Sequence, residues 1–160
     1  MKKPATRLLA LDYGLKRIGI ALCDESKSIA SPLPTLQAPR QEKQVALAIA
    51  HLVSDLEKEL QCRIEEIIVG LPLMMSGKGG FLADEVHSFC EELARHVDIP
   101  LKLWDERLST VQAERTLREV GFSRKKRSQR VDAAAAVVLL QSYLDYKASL
   151  MEGTPFPEGR

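Results

Sequence analysis

Carboxylates supply the candidate chemistry of this chain. The apolar stretch RLLALDYGLKRIGIALCDE carries Asp12 inside what reads as a buried strand, LWDERLST places Asp105 and Glu106 where another such run ends, and RVDAAAAVVLLQ opens with Asp132. Each has a purely structural reading: Asp12 as a turn residue ahead of Gly14, Asp105 and Glu106 as acids favoured at the positive end of a following helix, Asp132 as a helix N-cap. One shared site accounts for all of them together, because ligands of open α/β sheets collect outside the carboxyl ends of the strands. Converging carboxylates repel, and each raises the other's pKa unless a cation sits among them. Oxygen donors without a His or Cys cluster select a hard divalent ion, Mg2+ or Mn2+, rather than zinc. Such ions commonly act on phosphates.

Cations stand near these acids in the sequence. Lys16 and Arg17 follow Asp12, Arg107 follows Glu106, and Arg124, Lys125, Lys126, Arg127 and Arg130 lead into Asp132. An isolated basic run is ordinarily a solvated face. Beside a phosphate-cutting site the same run reads as a nucleic-acid contact that supplies salt-sensitive affinity and no base information. Lys78, between Gly77 and Gly79, adds a contact from a glycine-rich loop, although SGKGG has no P-loop spacing. Met74, Met75 and Trp104 read as packing residues, and His51, His87 and His96 share no spacing with the acids.

The elements that must position these groups follow from periodicity. Residues 6–12 and 17–23 are β-prone runs joined by YGLK, a hairpin whose Gly14 suits a tight turn. SIASPLPTLQAP, with three prolines, reads as a short edge strand. From Gln41 to Leu60 the apolar residues Val45, Ala48, Ile49, Leu52, Val53, Leu56 and Leu60 recur at helical spacing. RIEEIIVGLPL is a compact strand ending at Gly70 and Pro72. A second helix over 81–96 presents Phe81, Leu82, Val86, Phe89, Cys90, Leu93 and Ala94, and IPLKLWDERLS forms the next strand, opening into a helix that stops near Gly121. FSRKKRSQR reads as a basic loop, and Val131 to Leu144 as a last helix whose alanines allow close packing on a sheet. The tail from 151 to 160 has a disordered composition. These elements predict an α/β fold with a mixed five-stranded sheet, helices on both faces and one domain over 1–150.

Bulk composition narrows the class. The chain has 160 residues, 45% hydrophobic and 28% charged, enough for one substantial core and unlike a disordered or disulfide-dense protein. A net charge of +1 provides no whole-molecule attraction to a polyanion, so any nucleic-acid affinity must come from local clustering. Cys23, Cys62 and Cys90 are odd in number and unpaired in spacing, which indicates reduced thiols and fits a cytoplasmic setting. No apolar run approaches the ~18 residues of a membrane span.

Taken together, LALDYGLKRIGIA, IIVGLPLMMSG, LWDERLST and RVDAAAAVVLLQSYL resemble the YqgF/RuvX family, described both as Holliday junction resolvases and as pre-16S rRNA nucleases. The resemblance runs from about Leu8 to Leu144. It implies a ribonuclease H-like fold, strands one to three antiparallel and four and five parallel to the first. It also implies an Mg2+- or Mn2+-dependent phosphodiesterase with Asp12, Glu106 and Asp132 as catalytic metal ligands and Asp105 as an additional acid. Lys16 or Arg17 would then steady the phosphate, with Gly14, Gly70 and Gly77 as backbone positions of the site. The family's GLPLNMDG appears here as GLPLMMSG, so Met74 and Ser76 replace an asparagine and an aspartate, and Ala135 stands where related resolvases carry a further aspartate. These departures leave open whether one ion or two is held. The partner is nucleic acid, pre-rRNA or branched DNA, and the chain a monomer or a homodimer, since a junction cutter pairs two sites while trimming RNA requires one. Two rivals remain: a catalytically weak RNA- or DNA-binding factor on the same fold, and a nucleotide-binding domain of the actin and hexokinase type, whose phosphate hairpin LALDYGLKRIGIAL also resembles.

Overall fold

A computed structural model describes residues 3–14, 16–38, 41–72, 80–106 and 124–152, the last with backbone alone at 124–133 and 152. Its elements are β1 (Ala5–Tyr13), β2 (Arg17–Cys23), β3 (Ala30–Gln37), α1 (Glu42–Glu59), β4 (Cys62–Leu71), α2 (Phe81–Ala94), β5 (Leu101–Asp105) and α3 (Arg124–Glu152). The five strands form one sheet in the order β3-β2-β1-β4-β5. β2 runs antiparallel to β1 and to β3, whereas β4 is parallel to β1 and β5 parallel to β4. The predicted mixed sheet and its strand directions are therefore present.

β1 is apolar from Leu8 to Leu11, where it is covered on both sides. Leu9 and Leu11 point into a core with Val45, Ile49 and Val53 of α1 and Val86, Phe89 and Leu93 of α2. Leu8 and Ala10 alternate to the other face, where Ala136, Leu139, Leu140 and Tyr143 of α3 pack. Ala136 is fully buried there with Ala10 and Ala21. Small side chains on both sides let α3 approach the sheet closely, as its alanine run anticipates. β3 is an edge strand eight residues long, and Pro32 and Pro34 lie within it, tolerated because one side of an edge strand needs no donors. Cys23 and Cys62 are buried free thiols, and burial pushes the half-buried Cys90 thiol up to about 11, which keeps it protonated and inert.

Three expectations need correction. The basic segment is not a loop: residues 124–130 lie inside α3, which continues to Glu152 rather than stopping at Leu144 and takes in the first two residues assigned to the tail. Arg, Lys, Gln, Ala and Leu are good helix formers, and neither glycine nor proline occurs between Arg124 and Glu152. On α1 it is Ala46 that is fully buried, while Leu60 at its C-cap is exposed. On α2 the buried set is Ala83, Val86, Phe89 and Leu93, and Phe81 is 70% exposed because it begins the helix beyond the sheet's cover. Phe89→Ala is accordingly expected to cost about 3–5 kcal/mol and Phe81→Ala less than about 0.5 kcal/mol in chemical denaturation. The helix expected over 109–121 and the tail from 153 lie outside the described residues.

Candidate active site

Strand alternation decides which acids share a face. β1 sends Leu8 and Ala10 toward α3, so Asp12 faces α3 as well. On β4, Ile68 belongs to that face, and Gly70 follows it by two; on β5, Trp104 does, and Glu106 follows it by two. The ladders place these positions side by side, Leu11 opposite Val69 and Gly70 opposite Trp104. Asp12 and Gly70 thus stand level at the carboxyl ends of β1 and β4, and Glu106 lies on the same face two residues beyond that level, past the end of β5. Leu101 and Leu103 pack on the α1/α2 side, and Asp105 continues their alternation. Of the two neighbouring acids, Glu106 is the one that meets Asp12.

Glu106 and Asp12 are hydrogen-bonded through their side chains. The Glu106 carboxyl is pushed up to about 8, first by burial, then by its hydrogen bond to Asp12 and by the negative charges of Asp12 and Asp105. Two carboxylates this close do not both ionise readily without a cation, so without one they hold a proton between them. A hydrogen-bonded pair of oxygen donors, held on a rigid sheet, suits a hard divalent ion.

Neighbouring residues fix the pair. Tyr13, next to Asp12, stacks on Phe89 of α2 with ring centroids 4.8 Å apart. Trp104, two residues before Glu106, is buried, donates its indole N–H to Ser142 Oγ at 3.2 Å and meets Tyr143 edge-to-face at 5.2 Å. Trp104 is therefore a core residue, as its sequence reading holds. Gly14 lets the β1–β2 turn close, since a Cβ there would lie 2.5 Å from the Arg17 carbonyl oxygen. Arg17 begins β2 two residues before Gly19, which pairs with Asp12, and alternation with Ala21 and Cys23 sets it on the α3 face. Lys16 is exposed in the turn. Of the two, Arg17 shares the face of the acids.

Asp132 lies on α3, four positions before Ala136 and seven before Leu139, the spacing of the stripe that α3 lays on the sheet. Gln141 accepts a hydrogen bond from the Ala30 N–H and donates one to the Ser28 carbonyl, which fixes α3 at the level of Cys23 and Leu8. The side chain of Asp132 lies outside the described residues, as do those of Arg124, Lys125, Lys126, Arg127 and Arg130. Arg107, Met74, Ser76, Gly77 and Lys78 also lie outside. Among the described residues no group of three or more His, Cys, Asp or Glu converges.

Comparison with known proteins decides the family. The model of the RuvX family, described as Holliday junction resolvase, matches residues 6–146. The chain belongs to the RuvX family. A relative from Protochlamydia amoebophila, named "Putative pre-16S rRNA nuclease", is 51% identical over 144 residues, covering 90% of this chain and 96% of its own. A relative of the same name from Halothermothrix orenii is 40% identical over 146 residues, covering 90% and 98%. Among solved structures, Thermus thermophilus RuvC covers 92% of this chain and 97% of its own at TM-score 0.54 and 11% identity. The fowlpox virus Holliday junction resolvase covers 88% and 99% at TM-score 0.52 and 11% identity. At that identity the likeness shows a shared fold, the one this RuvX-family chain was expected to have. Family membership over nearly the whole chain also sets aside the actin and hexokinase reading.

What sequence reasoning missed was the geometry of Gly70. It stands among the site positions as a backbone residue, yet a Cβ placed on it would lie 2.5 Å from Glu106 Oε1. The available signal was parity: Asp12, Gly70 and Glu106 each lie two residues beyond an apolar residue of the α3 face.

Proposed function

We propose that this chain is a divalent-metal-dependent nuclease acting on structured nucleic acid, with precursor 16S rRNA as its substrate. The observation that carries this reading is the hydrogen-bonded Asp12–Glu106 pair at the carboxyl end of the sheet, on the face that α3 covers. The names of the relatives support the RNA substrate.

Asp12, Glu106 and Asp132 would hold Mg2+ or Mn2+, which when bound supplies Lewis-acid polarisation of a phosphate oxygen and lowers the pKa of water. Asp12 contributes a carboxylate fixed on the central strand. Glu106 releases at its carboxyl the proton that the pair otherwise retains. Arg17, on the same face, meets the charge of the phosphate. Arg124, Lys125, Lys126, Arg127 and Arg130 would bind neighbouring phosphates.

Cleavage of a precursor 16S rRNA fragment and of a four-way DNA junction, each with Mn2+ and with EDTA, tests the reading. Mn2+-dependent cutting of the RNA is expected. Cutting of the junction alone would overturn the substrate, and binding without cutting of either would overturn the enzyme. Replacing Arg124, Lys125, Lys126 and Arg127 together by alanine should weaken RNA binding and lower the slope of log affinity against log salt by up to about 3–4, at roughly 0.7–0.9 per lost phosphate contact. An unchanged slope would remove this segment from the interface.

A further inference from the structure

We infer that Gly70 is a positioning residue of the acidic site: the bare backbone of β4 at this point is the floor across which Glu106 reaches from β5 to Asp12 on β1. The inference rests on the metal-site reading above and adds to it a reason for a residue that carries no chemistry of its own.

Topology creates the need. β4 lies between β1 and β5, so the backbones that carry Asp12 and Glu106 are two strand spacings apart and two residues out of register, about 12 Å. Their side chains nevertheless meet. The path between them passes over β4 at Gly70, the position level with Trp104 and one beyond the pairing of Val69 with Leu11. Val69 packs on the α1/α2 side of the sheet, so position 70 rather than 69 presents its face to that path.

A side chain at position 70 would press on Glu106. A Cβ on residue 70 would stand 2.5 Å from Glu106 Oε1, 3.0 Å from Cγ and 3.2 Å from Cδ. Rotation of the carboxylate would relieve the first contact, and the other two require the Glu106 side chain to shift by a few tenths of an ångström. Trp104, two residues before Glu106, is held by Ser142 and Tyr143 of α3, which restrains the end of β5. The shifted carboxylate changes its geometry with Asp12. No positive backbone angle requires glycine here, since among the described residues outside glycine only Lys27 and Gln61 have one and no such angle marks Gly70. Alanine is compatible with an extended strand.

The test is isothermal titration of Mn2+ alone into the full chain and into Gly70→Ala, Glu106→Ala and the double variant, with an unfolding midpoint for each. Gly70→Ala is expected to weaken Mn2+ binding about 10- to 100-fold, the usual effect of disturbing a group that orients a metal ligand. In the Glu106→Ala background the same change should have no effect, because nothing remains for the new methyl group to displace. Undiminished affinity in Gly70→Ala, or an equal loss in both backgrounds, would overturn the inference. Failure of Gly70→Ala to fold in both backgrounds would assign the glycine to backbone geometry and overturn it too. A natural chain that binds Mn2+ but cuts no nucleic acid would sink the nuclease reading and leave Gly70's role standing. A natural chain that binds no Mn2+ would sink both.

Discussion

Asp12→Asn is expected to lower Mn2+-dependent cleavage by about three orders of magnitude or more while leaving the metal-free chain as stable as before, or more so. Asparagine keeps the shape of the side chain and its hydrogen-bonding capacity but removes the charge. If Asp12 is a ligand of the ion, the loss is part of a Lewis-acid contribution of several kcal/mol, and each 1.36 kcal/mol is roughly tenfold in rate. Stability moves the other way because Asp12 is a like-charged neighbour that raises the Glu106 carboxyl. A residue that served the fold would lower both quantities together. Leu11→Ala, one position away and fully buried, supplies that contrast, with an expected cost of about 2–5 kcal/mol. Single-turnover cleavage and thermal unfolding of the two variants separate these cases. An active Asp12→Asn enzyme would move the chemistry elsewhere in the chain.

Local pattern revealed the elements, and parity within them revealed part of the site. The hairpin, the prolines of β3 and the helical stripe of Val45, Ile49, Val53 and Leu56 were legible because each is decided by residues a few positions apart. Asp12 and Glu106 were legible as candidates because a carboxylate at the end of an apolar strand is chemically anomalous. Choosing Glu106 over Asp105 was not possible from the motif itself. It depends on which face of β5 looks toward α3, set by the contact of Trp104 with Ser142 and Tyr143 some forty positions later. The floor at Gly70 was hidden for a stronger reason, since it exists only because β4 is inserted between β1 and β5. The basic segment misled in the opposite direction. Five cations in a short run suggest a solvated loop, but their residue types favour helix and the alanine-rich core of α3 extends it through them.

The Asp12–Glu106 pair also sets how stability should respond to pH. The Glu106 carboxyl is raised in the folded chain to about 8 from an ordinary 4.5, so between those values the folded state binds more protons than the unfolded one. Stability of the metal-free chain must then fall as pH rises through that interval and level off above it. Discounted for the partial exposure of the pair, the loss is about 2 kcal/mol, or roughly 4–8 °C in unfolding midpoint for a chain of this length. Mn2+ should reverse the slope, because the cation takes the place of the shared proton, and its binding near pH 7 should release about one proton. Glu106→Gln removes the titrating group and should flatten the metal-free profile between pH 5 and 8. The same variant should lose most of the stabilisation by Mn2+. Thermal unfolding across pH with EDTA and with Mn2+, together with calorimetry in buffers of different ionisation enthalpy, measures each quantity. A metal-free midpoint that rises over this range would mean that the two carboxylates do not share a proton.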